Sequence, residues 1–174
     1  MDTGMIHLYI GNGKGKTTAA LGLLIRAYGA GLSCLFVQFL KGSPTSELAV
    51  LEKLKIPYIR TDDVKKFVTF MDAEELNACR KSHKDCFKKL TGLMERYSFD
   101  CVVLDEILDA VSLGMIQQEE LLAFLRKEKG RVEIILTGRN PGDEILELAD
   151  YITEMKKIRH PYERGIAARK GMEY

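Results

Sequence analysis

The chain has 174 residues, 46% of them hydrophobic and 29% charged, with a formal net charge of +1. That length suits a single domain over residues 1–174, with a core burying about 70% of the surface that the unfolded chain exposes. The near-neutral balance gives no global pull toward nucleic acid or a membrane surface, no apolar run reaches spanning length, and no signal-type segment opens the sequence. Cys34, Cys79, Cys86 and Cys101 lack metal-type spacing and read as reduced, structural thiols, which points to a cytoplasmic protein.

Strand and helix signals alternate along the chain. Residues 6–10 form an apolar run that predicts a first strand, and Gly11-Asn12-Gly13-Lys14-Gly15-Lys16-Thr17-Thr18 follows it directly. A helical pattern over 16–28 stops at Gly29 and Gly31. The run 32–40 (LSCLFVQFL) is continuous enough for a strand buried on both faces. Gly42-Ser43-Pro44 breaks it, and Ser46 is placed to cap a helix over 46–54. A short strand over 56–60 precedes an irregular stretch, 62–70, and Asp72 opens a long helix to residue 97. Residues 101–104 predict a strand ending in Asp105-Glu106. Helical stretches over 107–112 and 117–127, a strand over 132–136 and the turn Thr137-Gly138-Arg139-Asn140-Pro141-Gly142 come next. A helix over 143–149, a strand over 151–155 and a basic tail complete the order.

Strands separated by helices call for parallel pairing through right-handed crossovers. The expected fold is therefore α/β and three-layered, a P-loop NTPase-like (RecA-like), mostly parallel sheet with helices on both faces. Ligands collect at the carboxyl ends of such strands. The Gly11 loop, Asp105-Glu106 and Gly138-Arg139 all fall at predicted strand ends, so they are expected to share one site.

The glycine-rich stretch carries the most chemistry. Its glycines let the backbone curl so that N–H groups converge on an anion, the helix start adds its positive end, and Lys16 adds a full charge. Gly11, Asn12, Gly13, Lys14, Gly15, Lys16, Thr17 and Thr18 thus form a cradle for a nucleoside triphosphate. The common spacing puts the first glycine at position 10, which here is Ile10, so the loop is one residue short and carries an additional lysine, Lys14. Thr17 can place its hydroxyl on a divalent metal, and one of the adjacent acids Asp105 and Glu106 can supply a carboxylate. The spacing does not rank the two. Arg26, on the same helix as Lys16, either faces phosphate or is solvated. Arg139 is a candidate anion contact, and His160 either meets a phosphate or caps the turn before Pro161. His7 and His83 have no functional company in the sequence.

The segments GNGKGKTTAALGL, LFVQFLKG, VVLDEI, LTGR and ADYITEMKKIRHPYERGIAARKGMEY resemble the P-loop type of ATP:corrinoid adenosyltransferases of the bacterial cobalamin pathway, in order, over most of the chain. The resemblance implies transfer of the 5′-deoxyadenosyl group of ATP to the Co(I) of a reduced corrinoid, with triphosphate released. It implies that Gly11 to Thr17 wrap the phosphates and that Thr17 and Glu106 hold Mg2+ or Mn2+. It places Lys16, Thr17 and Glu106 at the catalytic centre, Asn12 near the ribose, and Arg26 on phosphate. It further implies nucleotide bound in the reverse sense to ordinary P-loop enzymes, for which the shortened loop is a physical cause. Homodimerisation and an electron-donating flavoprotein partner are implied as well. That family presses aromatic rings on the lower corrin face, commonly from Phe-x-Trp; this sequence has no tryptophan, and Phe67 and Phe70 are the nearest substitutes. Many relatives begin with an additional arm, whereas here the first strand starts almost at once. Two other classes fit the bare loop: a P-loop small-molecule kinase, which would release ADP, and a nucleotide-dependent corrinoid-binding or delivery protein, which would leave ATP intact.

Overall fold

A computed structural model describes residues 3–42, 45–61 and 68–173, of Thr69 the backbone only. In chain order it runs β1 (Ile6–Ile10), α1 (Lys16–Gly29), β2 (Cys34–Gln38), α2 (Ser46–Leu54), β3 (Tyr58–Arg60), α3 (Ala73–Arg96), β4 (Cys101–Asp105), α4 (Ile107–Ser112), α5 (Gln118–Glu128), β5 (Glu133–Thr137), α6 (Asp143–Leu148) and β6 (Tyr151–Glu154). Short 3₁₀ turns occupy Val68–Phe70 and Pro161–Arg164. The strands form one sheet in the order β3-β2-β4-β5-β1-β6, and every pairing is parallel.

Alternation along the strands divides the core into two layers, because successive side chains point to opposite faces. Cys34, Phe36, Cys101, Val103 and Ile135 pack with Ala20 and Leu24 of α1 and Leu51 of α2. Leu35, Val37, Val102, Leu104, Ile134 and Leu136 face the other way, onto α3, α4, α5 and α6. The three-layer P-loop NTPase-like arrangement is thus present. All four cysteines are free and buried in these layers.

Several boundaries move for local reasons. The predicted 32–40 strand stops at Gln38 because Leu40 turns into the left-handed region, φ 56°. Ser46 is the first residue of α2, and Thr45 holds the cap position without a side-chain bond. Lys55, also left-handed, closes α2 while Ile56 N–H returns to the Leu51 carbonyl at 2.9 Å, so β3 begins two residues later than the expected 56. At α3 the cap is as the sequence implies: Asp72 accepts from the Glu74 and Glu75 amides, and Glu75 accepts from Asp72 N–H.

Candidate active site

The loop after β1 is held against the chain that leaves β6. Gly13 N–H donates to the Met155 carbonyl at 2.6 Å, Gly11 N–H meets the Arg139 carbonyl at 3.4 Å, and Lys157 N–H donates to Asn12 Oδ1 at 2.9 Å. A Cβ on Gly13 would sit 2.5 Å from the Met155 oxygen, so only glycine fits. Gly15 caps α1 at φ 115°, which L side chains avoid. No side chain caps α1 and no acid sits in its first turn, so its first amides face an anion site with the dipole behind them. Lys16 Nζ bonds the Gly11 and Gly13 carbonyls at 2.8 and 3.0 Å, which keeps the ammonium inside the curl.

Opposite the loop stand the acids at the end of β4. Asp105 is fully buried: its Oδ1 accepts from Thr137 Oγ1 at 2.8 Å, and its Oδ2 from Gln38 Nε2 at 3.1 Å and Lys41 Nζ at 3.2 Å. Glu106 takes a left-handed backbone, φ 61°, anchored by its N–H to Thr137 Oγ1 at 2.8 Å. Burial, then the neighbouring Asp105 and Asp109, push the Glu106 carboxyl up to about 7, against the opposing pull of Lys41. Lys41 itself loses solvation, but Asp105, Glu47 and Glu106 outweigh that loss and hold its proton more firmly than usual. The loop, Lys41, Glu47, Glu106 and the 171–173 tail enclose a cavity of about 430 Å³, a size typical of small-ligand sites.

Lys41 did not stand out in the sequence, although it follows a strand end as the other site residues do. Its placement depends on His83, which the sequence left without company. Buried His83 holds its Nδ1 on the Cys79 carbonyl at 2.8 Å, which fixes the tautomer, and its Nε2 accepts from Leu40 N–H at 3.2 Å. Burial lowers its basicity, so the neutral ring is the working form.

The remaining candidates are distributed differently. Thr17 and Thr18 line the cavity with Lys14 and Lys16. Arg139, expected on an anion, instead pairs its Nε with Asp109 Oδ1 at 3.0 Å. His160, for which the sequence left a phosphate contact or a turn cap, caps the Pro161–Arg164 turn, its Nδ1 accepting from Tyr162 N–H at 3.2 Å. Arg26 is exposed in the last turn of α1, about 15 Å along the axis from Lys16, and does not line this cavity. Phe70 is 75% exposed, and Phe67 lies outside the described residues. The tail adds a contact that the sequence did not suggest: Glu173 takes Lys14 Nζ at 2.8 Å and Arg169 Nη2 at 3.1 Å, and these partners draw its carboxyl down to about 2.

Residues 2–174 match the family model of the ATP:corrinoid adenosyltransferases BtuR/CobO/CobP. The chain belongs to that family. A corrinoid adenosyltransferase of a Sinorhizobium species is 33% identical over 99% of this chain and 81% of its own length. Those of Escherichia coli K12 and Salmonella typhimurium, the latter named CobA, are each 32% identical, covering 99% of this chain and 87% of their own. Among solved structures, a KaiC-like protein of Pyrococcus horikoshii aligns over 88% of this chain and 73% of its own at 20% identity, with a TM-score of 0.49. The enzyme is an ATP:corrinoid adenosyltransferase, and the kinase and delivery-protein alternatives are not favoured.

Proposed function

We propose that the cleft between the 11–18 loop and the β4 acids holds ATP with C5′ turned toward a reduced corrinoid. The electron pair of Co(I) attacks C5′, the C5′–O5′ bond breaks, and triphosphate leaves with that bonding pair as cobalt becomes Co(III)–alkyl. Co(I) is already a strong nucleophile, so the protein's work is alignment and stabilisation of the growing negative charge. Lys16, Lys14 and the first amides of α1 supply that stabilisation. Asn12 keeps its amide donors for the ribose while its oxygen secures the loop. We assign no phosphate contact in this cleft to Arg139, His160 or Arg26, because none of the three lines the cavity. The observation that carries the reading is the opening of the phosphate loop and Glu106 onto one cavity.

The donor set suits Mg2+ (or Mn2+). Thr17, Asp105 and Glu106 offer hard oxygen atoms, and a cation, the Lys41 ammonium, is already drawn to the same point. When bound there, the ion would polarise the triphosphate and spread its charge. Thr17 and Glu106 would hold it, and Asp105, whose oxygens already accept three bonds, would orient the shell from behind. Exposed Phe70, with Phe67 three residues before it in sequence, is our candidate for the ring against the lower corrin face. A homodimer and a flavoprotein electron donor follow from the family resemblance. Four free, buried cysteines suit a reducing cytoplasm, and among the described residues no helix is long and apolar enough to cross a membrane.

Incubating the enzyme with ATP and chemically reduced cobalamin under anaerobic conditions tests the proposal. A light-sensitive organocobalt spectrum, with triphosphate in the phosphorus NMR spectrum, is expected in equal amounts. Release of ADP, or recovery of unchanged ATP, would refute it.

A further inference from the structure

Lys41 stands where a divalent cation would also settle. Its Nζ lies 3.2 Å from Asp105 Oδ2, 3.4 Å from Thr17 Oγ1 and 3.6 Å from Glu47 Oε1. A loop hydroxyl and a strand-end carboxylate are the protein groups from which P-loop enzymes hold magnesium, the roles given above to Thr17 and Glu106, with Asp105 directly behind them. Three elements aim the ammonium at that point. Leu40 turns the chain at φ 56°, His83 from α3 receives the Leu40 N–H, and Arg60 at the end of β3 donates to the Lys41 carbonyl. The backbone is pinned, but the side chain is a flexible stem carrying a strongly hydrated point charge, 26% exposed. It can leave Thr17 without disturbing the fold.

We propose that Lys41 and the divalent ion alternate at Thr17 in front of Asp105, with Glu106 completing the hold on the ion, and that this exchange couples ion binding to ATP binding. This rests on the reading above that Thr17 and the β4 acids form the metal site. The ammonium neutralises Asp105 and Glu47 until the ion arrives. Bound metal displaces it, and the triphosphate then offers the freed ammonium a new anionic partner within the cavity that Lys41 lines. Metal alone must take the ammonium off Asp105 and leave it only Glu47, so it binds weakly. Metal together with ATP does not meet that obstacle, and the two ligands favour each other. Lys41 is on this account a positioning residue of the metal site.

The test follows free Mn2+ by its electron paramagnetic resonance signal in the intact enzyme, with and without ATP and with no corrinoid present. In Lys41→Met the affinity for Mn2+ alone should rise by about tenfold, as expected for removing one nearby positive charge, and ATP should enhance Mn2+ binding less than in the wild type. Lys41→Arg keeps the charge and should stay within about twofold of the wild type. Circular dichroism confirms folding, with Lys41→Gln as the second neutral variant. An unchanged affinity for Mn2+ alone in both neutral variants, with Thr17→Val still weakening it, overturns the exchange and leaves the metal site standing. If Thr17→Val has no effect on Mn2+ in either background, the metal site itself is misassigned.

Discussion

The two walls of the cleft are built by different means. The 11–18 loop leans on the chain after β6 through Gly13 and Asn12, but its chemistry-bearing side chain is aimed locally: Lys16 bonds carbonyls three and five residues back, and a glycine carries the left-handed cap. The facing wall, Gln38 to Lys41 with Glu47, is shaped by partners far along the chain. Leu40 is set by His83, 43 residues away, and Lys41 by Asp105, 64 residues away. One wall aims its lysine through contacts within a contiguous motif. The other exists only after α3 and β4 have packed onto β2. The loop wall should therefore fail in chemistry while keeping its stability, and the far wall should lose both together.

The sharpest way to break this contrast is Lys16→Ala. It removes a full charge from the leaving-group side but no long-range tie, so kcat/KM should fall by about 10³-fold, the upper range for losing one preorganised electrostatic contact. Thermal unfolding should move little. A large fall in Tm would show that Lys16 supports the fold and that the two walls are less distinct than argued.

His83→Leu addresses the other wall. It strands the Leu40 N–H in a buried setting, a cost of about 1–3 kcal/mol, and loosens the turn that presents Lys41. A lower urea midpoint and a loss of about tenfold in kcat/KM, of the size a weakly misplaced charge produces, should appear in the same variant. His83→Gln, which can return an acceptor to that N–H, should recover part of both. Recovery of stability without activity would separate His83 from Lys41 and limit it to packing.

The same contrast explains how much could be read in advance. The order of strands and helices was legible because apolar periodicity and turn residues are local, and the phosphate loop was legible because its glycines and lysines must be contiguous. The rule for strand ends pointed to the Gly11 loop, Asp105-Glu106 and Gly138-Arg139 together; the loop and Glu106 line one cavity, and Gly138 and Arg139 do not. That rule applied equally to Lys41, but a lysine after a long apolar run looks like any solvated lysine until Leu40 is seen to turn. Side-chain direction was the least legible feature. Arg139 reaches the right strand end and then pairs with Asp109, a choice set by one carboxylate on α4. His160 had two open roles, and the structure uses it as a turn cap.

Glu106 links the two walls and gives a pH test. Its folded-state value, about 7, lies above the ordinary 4.5. Below pH 4.5 both folded and unfolded states hold the proton and nothing is lost. Between 4.5 and 7 the unfolded chain releases it first, so stability falls as pH rises, and above 7 the full penalty is present. The size is bounded at about 3 kcal/mol. Urea titrations in EDTA from pH 5 to 8 should show this fall in the wild type relative to Glu106→Gln. Magnesium with ATP should flatten it, because a bound cation favours the carboxylate. Parallel slopes for the two proteins would place the Glu106 charge outside the pocket field.

The smallest expected effect concerns the tail, where a carboxylate reaches across to the loop wall. Glu173 takes the Lys14 ammonium at 2.8 Å, a contact that an incoming phosphate oxygen would have to replace. Exposed ion pairs of this kind contribute little to stability, but this one faces the nucleotide cavity. Glu173→Gln removes the competing charge and leaves Lys14 free for phosphate, so the KM for ATP should fall about two- to threefold at low salt and the difference should shrink as salt is raised. The Tm and kcat should stay near their wild-type values. A rise in KM would reverse the assignment, because it would mean that the tail carboxylate orients Lys14 for the nucleotide and does not compete with it. The far end of the sequence would then aim a loop side chain from a distance, as His83 and Asp105 do on the facing wall, and the contrast in how the two walls orient their lysines would no longer hold.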